Sequence, residues 1–154
     1  MNHLRVAIGV CTYHRPEPLK RLLLSLRQIE LGDIPHGQAR IFVVDNDPQQ
    51  ENKVICAQLE SQLPIALEYV EENQPGVTHA RNTVVRLALD WGADFLSFID
   101  DDDIPRADWL FKLLEKQIET NADLVFGSWR AAEDTPVWAE RAGIFRDPTR
   151  DKAI

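Results

Sequence analysis

The chain has 154 residues, 44% of them hydrophobic, with four Trp and six Phe: enough for one sizeable core and too apolar for a disordered segment. Its formal net charge of -8 leaves no basic face of the kind a nucleic-acid backbone requires. No apolar run approaches a membrane span, and the first, at 6–10, is too short for a secretory core. Cys11 and Cys56 lie in apolar contexts without metal-ligand spacing and read as reduced core thiols. The expected location is the cytoplasm, at most peripheral to the inner face of a membrane.

Strand-like and helix-like segments alternate along the chain. Residues 6–12 read as a buried strand. Pro16 and Pro18 open a helix with Leu19, Leu22, Leu23, Leu26 and Ile29 at helical spacing, closed by Gly32. Residues 41–44 form a second strand, and a polar helix over 50–62 turns Val54, Ile55 and Leu59 inward. A third strand spans 65–70. After the turn at 73–76 comes a helix with Ala80, Val84, Leu87, Ala88 and Trp91 on one face. The run 95–99 is a fourth strand. Trp109, Leu110, Leu113, Leu114 and Ile118 stripe a further helix, and 124–126 read as a fifth strand. This alternation predicts an α/β fold with a mainly parallel sheet, flanked by helices and joined by right-handed crossovers. The tail from 129 to 154 carries Trp129 and Trp138 but no period, and reads as a partial element or a loose extension.

Each strand end carries polar residues: Thr12-Tyr13-His14-Arg15, Asp45-Asn46-Asp47, Glu72-Asn73-Gln74 leading to His79-Ala80-Arg81-Asn82, and the tetrad Asp100–Asp103. In a parallel sheet these clusters converge on one edge, where open α/β sheets bind ligands. Four adjacent carboxylates repel one another and invite a cation; the plain alternative is a solvated acidic turn before a helix. If the tetrad is extended, Asp100 and Asp102 face together, about 7 Å apart. Oxygen ligands of that kind suit Mg2+ or Mn2+ carrying phosphate. Asp103 could cap the helix that follows. The four histidines, His3, His14, His36 and His79, show no spacing for a softer metal. Arg81, in the first turns of a helix, suits an anion site or is simply a solvated arginine. Asp45 could accept hydrogen bonds from a base or ribose, or make an Asx-turn. Tyr13 could stack on a base or be an ordinary half-buried aromatic. No glycine-rich loop follows the first strand, which excludes a P-loop and the dinucleotide fingerprint.

Four motifs stand in order: Val10–Pro16, Val43–Asp47, Glu72–Gly76 running to Ala80–Asn82, and Phe98–Asp103. Together they resemble the nucleotide-sugar-binding half of family 2 type glycosyltransferases of GT-A fold, over about residues 5–128. The remainder, 129–154, would be the start of an acceptor region or a loose tail. The resemblance implies a Rossmann-like GT-A sheet, here truncated, and transfer of a sugar from a nucleoside-diphosphate sugar, typically UDP-linked, to an acceptor hydroxyl. It implies Mn2+ or Mg2+ and inversion at the anomeric carbon. Thr12, Tyr13 and Arg15 would line the nucleotide pocket, Asp45 would read the base and Arg81 would approach the diphosphate. Asp100 would face ribose or metal-bound water, Asp102 would ligate the metal, and Asp101 joins the donor-binding set. Family members continue into an acceptor half that supplies a carboxylate base. Here Glu133 and Asp134 are the carboxylates shortly after the expected fifth strand, and the base itself is expected to be missing. Acceptors implied by the family are a glycan, a lipid carrier or another hydroxyl compound. The alternative is a non-catalytic nucleotide-sugar-binding fragment or subunit, paired through an exposed sheet edge with a second copy or a partner chain.

Overall fold

Val6–Thr12 (β1) forms the middle of a four-stranded parallel sheet in the computed structural model, which describes residues 4–128. Ala39–Asp45 (β2) and Ala66–Glu71 (β3) lie on one side of it and Phe95–Phe98 (β4) on the other, giving the order β3-β2-β1-β4. The register aligns Thr12 with Asp45, Asp45 with Glu71, and Gly9 with Phe98. All four carboxyl ends therefore share one edge. The strand order reverses between β1 and β4, the switch point at which such sheets open a crevice.

Unbroken apolar runs make β1 and β2 strands because both of their faces are covered. Residues Val6, Ile8, Val10, Ile41 and Val43 are all 0% exposed. On one face lies Val77–Trp91 (α3): Ala7 and Phe42 pack with Ala88, and Val44 with Ala80 and Val84. Gly9 permits this close seat, since a Cβ there would collide with Val84 Cγ1 and meet the Phe98 ring at 3.2 Å. Pro16–Ser25 (α1) and Glu51–Leu59 (α2) adjoin each other, and Leu19, Leu22 and Leu23 of α1 are fully buried.

Several elements differ from the sequence expectation. Helix α1 ends at Ser25 and continues only as a 3-10 turn over Leu26–Gln28, so Gly32 lies well beyond it. In α2 the buried face is Asn52, Cys56 and Leu59, and Val54 is 57% exposed. Val54 sits two residues from both Asn52 and Cys56, which places it on the opposite side of a helix. Residues 124–126 form no strand, and Leu124 and Phe126 are 69% and 82% exposed. A strand exists only where its backbone groups find a ladder, and this short run finds none among the described residues.

The chain divides into two compact units, residues 1–112 and 113–154, with the division inside Trp109–Thr120 (α4). The first contains the sheet, α1 to α3 and the buried Leu110. In the described part of the second, Leu114 is buried while Ile118 is 54% exposed, so the expected stripe is shorter than its apolar residues suggest. Residues 129–154, with Glu133 and Asp134, lie outside the described residues. Among the described residues no helix is long and apolar enough to cross a membrane.

Candidate nucleotide-sugar site

The aspartate tetrad follows β4 but does not continue it. Asp103 N donates to Asp100 O at 3.1 Å, which closes a turn with Asp101 and Asp102 at its centre. The alternation that would set Asp100 and Asp102 on one face is therefore absent. Like charges explain the turn: bending the chain spreads the carboxylates and aims them at different cations. Asp101 turns inward, is 5% exposed, and accepts hydrogen bonds from Thr12 Oγ1 at 2.8 Å and Arg15 Nη1 at 3.1 Å. The same Arg15 nitrogen lies 2.8 Å from Asp102 Oδ2. Asp100 faces Arg81, whose Nη2 is 3.6 Å away and whose guanidinium stands over the Phe98 ring. Asp103 caps this turn rather than a helix, its Oδ2 accepting weakly from Asp100 N at 3.4 Å.

Burial raises the Asp101 carboxyl, partly offset by the Thr12 hydrogen bond and the charge of Arg15. Asp101 in turn raises Arg15, through its charge and its hydrogen bond, with Asp102 adding to both. Burial also pushes the Cys11 thiol up to about 11, against the pull of Arg81, and keeps it protonated at neutral pH.

Asp45 closes the end of β2 and is 1% exposed. Its Oδ1 accepts from Asp47 N at 2.9 Å and from Asn52 Nδ2 at 3.1 Å. Its Oδ2 accepts from the same Asn52 nitrogen at 3.1 Å and from Tyr69 Oη at 2.8 Å. Those four contacts use the whole acceptor capacity of a carboxylate. Asp45 thus makes the Asx-turn that the sequence offered as one alternative, and in this structure it braces the wall beside the site. Burial, then its bond to Asp45, drives Tyr69 strongly upward, fixing it as a donor.

Tyr13 is 56% exposed at the mouth of the edge, its ring edge-on to His14 with centroids 4.2 Å apart. His14 takes a left-handed backbone, φ 51°, and its Nδ1 lies 3.0 Å from the buried Asp47 Oδ2 without hydrogen-bond alignment. Glu72 at the end of β3 accepts from Gln74 N at 2.9 Å and from Thr83 Oγ1. The Thr83 hydroxyl and then the Gln74 amide hold its carboxyl below the usual range.

The structure brings Thr12, Arg15, Asp101 and Asp102 into one contact network across the switch point, with Arg81 and Asp100 beside it. Tyr13, in the loop after β1, and Asp45, at the end of β2, lie on the same edge. Sequence reading placed Asn46 in a strand-end cluster without a role of its own and passed over Asn52, Tyr69 and Thr83. Polar positions at helical spacing on α2 were the signal available for Asn52. For Tyr69 the partner is set by strand register, and for Asn46 and Thr83 by the path of the loop after β3.

Among the described residues no group of three or more His, Cys, Asp or Glu could hold a metal ion. Mg2+ and Mn2+ need no such cage, since they take one or two carboxylates and fill the rest with water and phosphate oxygen. The Asp100 and Asp102 side chains, 53% and 52% exposed, would meet that demand by exchanging a guanidinium contact for the ion.

A four-stranded parallel sheet, with an arginine loop and an aspartate turn facing each other across its switch point, defines an α/β protein of the GT-A type. Residues 7–153 match Glycosyl transferase family 2, and the chain belongs to that family. It is 34% identical over 145 residues to the succinoglycan biosynthesis protein ExoM of Rhizobium meliloti (strain 1021), covering 92% of this chain and 44% of that protein. S. aureus TarS 1–349 in complex with UDP superposes with a TM-score of 0.69 at 20% identity, over 86% of this chain and 38% of that one. The mannosyltransferase PcManGT of Pyrobaculum calidifontis, in complex with GDP-Man and Mn2+, gives 0.62 at 23% identity, over 84% and 36%. The chain thus spans less than half the length of each of these proteins.

Proposed function

We propose that the chain binds a nucleoside-diphosphate sugar, with UDP as the first candidate, and serves an inverting, metal-dependent transfer to an acceptor hydroxyl. The carrying observation is the opposition of Arg15 and Thr12 on the β1 loop to Asp101 and Asp102 on the β4 turn, beside Arg81 on α3. Support for the donor class comes from the UDP complex of TarS and the GDP-Man and Mn2+ complex of PcManGT.

In this reading Tyr13 offers its exposed face to the base, and the braced Asp45 supplies a rigid wall next to it. Arg81 takes phosphate oxygens at the amino end of α3, where the helix dipole adds to its charge. Asp101 holds Arg15 and Thr12 in place from below. Asp100 and Asp102 would hold a divalent cation, which supplies positive charge against a leaving diphosphate. Arg15 is tied to Asp101 through Nη1, so it would keep its place, with Nη2 available to a phosphate oxygen, if Asp102 were given to the cation.

Titration with UDP and with GDP, in Mn2+ and in EDTA, tests the reading. Metal-dependent uptake of one diphosphate is expected, and Asp102→Ala removes most of it while Asp103→Ala changes it little. Uptake without sugar release or transfer would favour a binding module. No metal-assisted uptake of either nucleotide would end the proposal.

A further inference from the structure

We infer that Asn46 is a positioning residue whose side-chain amide clamps the loop between β3 and α3 and so presents Arg81 to a diphosphate. The inference rests on the donor-site reading above. Nδ2 of Asn46 donates to Glu72 O at 2.7 Å and to Gln74 O at 2.8 Å, which uses both of its hydrogens. The backbone completes the tie: Asn46 N donates to Thr12 O at 3.1 Å, and Glu72 N donates to Asp45 O at 2.8 Å. One residue therefore fastens the ends of β1 and β2 to the loop after β3.

The fastening continues into the helix. Glu72 accepts from Gln74 N within the loop and from Thr83 Oγ1 on α3, two residues past Arg81. Gly76, with φ 119°, turns the chain into α3, a backbone that side-chain-bearing residues avoid. Arg81 is held within reach of Asp100 at 3.6 Å. From Asn46 to Arg81 the path consists of named hydrogen bonds and one short helical segment.

The amide is chemically specific at this position. It must donate twice to two carbonyl oxygens of one loop. A carboxylate of the same shape donates nothing and sets its own oxygens against both carbonyls. Asn46→Asp should therefore release the loop with almost no change in side-chain volume.

The test is titration of the full chain with UDP and GDP by calorimetry in MnCl2, and with uridine and guanosine by ligand-observed NMR. For the nucleotide that the wild type takes up, Asn46→Asp is expected to lower diphosphate affinity about tenfold, the loss of one charge-assisted contact. Nucleoside affinity is expected to stay within about twofold, because the base wall at Asp45 is braced by Asn52 and Tyr69 instead. Asn46→Ala, which lacks the opposed oxygens, is expected to show the same split in weaker form and decides the matter if Asn46→Asp does not fold. Equal affinity in wild type and folded variants, or diphosphate and nucleoside affinities falling together, would overturn the clamp alone. A wild type that takes up neither diphosphate overturns the site reading and this inference with it.

Discussion

Replacing Arg15 by Gln isolates the energetics of the aspartate turn. The substitution leaves Asp101, with a side chain 7% exposed, charged and supported by the Thr12 hydroxyl alone among its side-chain donors. Removing one member of a fully buried ion pair costs about 3–5 kcal/mol. Arg15 is half exposed, so water can follow into its place and part of that penalty is screened. The second bridge, to the half-exposed Asp102, contributes under about 1 kcal/mol. The expected loss is thus about 2 kcal/mol, a fall in melting temperature of roughly 4–8 °C for a chain of this size. Arg15→Gln combined with Asp101→Asn removes the stranded charge as well. The double variant should be more stable than Arg15→Gln alone, with a coupling of about 1 kcal/mol or more. Denaturant unfolding of all four proteins measures the cycle. Additive losses, or a loss from Arg15→Gln below about 0.5 kcal/mol, would refute the view that Asp101 is a buried charge held by Arg15.

Thr83→Val removes the first support of the depressed Glu72 carboxyl. A depressed carboxyl stabilises the fold above its unfolded pKa and loses that contribution as pH falls through the folded one. The variant should therefore lose about 1.5 kcal/mol near neutral pH, and the loss should shrink as the solution is acidified through the carboxylate range, read from denaturant unfolding across it. Gly9→Ala drives a methyl into Val84 and the Phe98 ring and should cost about 1–3 kcal/mol, measured in the same assay. A neutral Gly9→Ala would mean that α3 does not sit as close to β1 as described.

The sheet was legible because β1 and β2 are short, nearly continuous apolar runs and β3 and β4 are short strand-like ones, a pattern with few folded solutions once helical segments separate them. The convergence of the four polar clusters followed from parallelism alone. Local geometry was harder to read. The tetrad bends because its charges repel and because Thr12 and Arg15 wait below it, neither of which alternation can express. Asn52 was overlooked because a polar residue in a helix suggests solvent, yet it is 0% exposed as the partner of Asp45. Residues 124–126 had the composition of a strand, but pairing is a property of two segments and cannot be judged from one.

The acidic turn comes with its own counter-ions: one guanidinium shared by Asp101 and Asp102, another beside Asp100. Folding is thereby separated from the metal loading proposed above. A polypeptide that balances these charges internally can be made and kept intact in a chelating medium, and on the proposed reading would gain the ion only when a donor arrives. Stripping the ion should then silence such a protein without melting it.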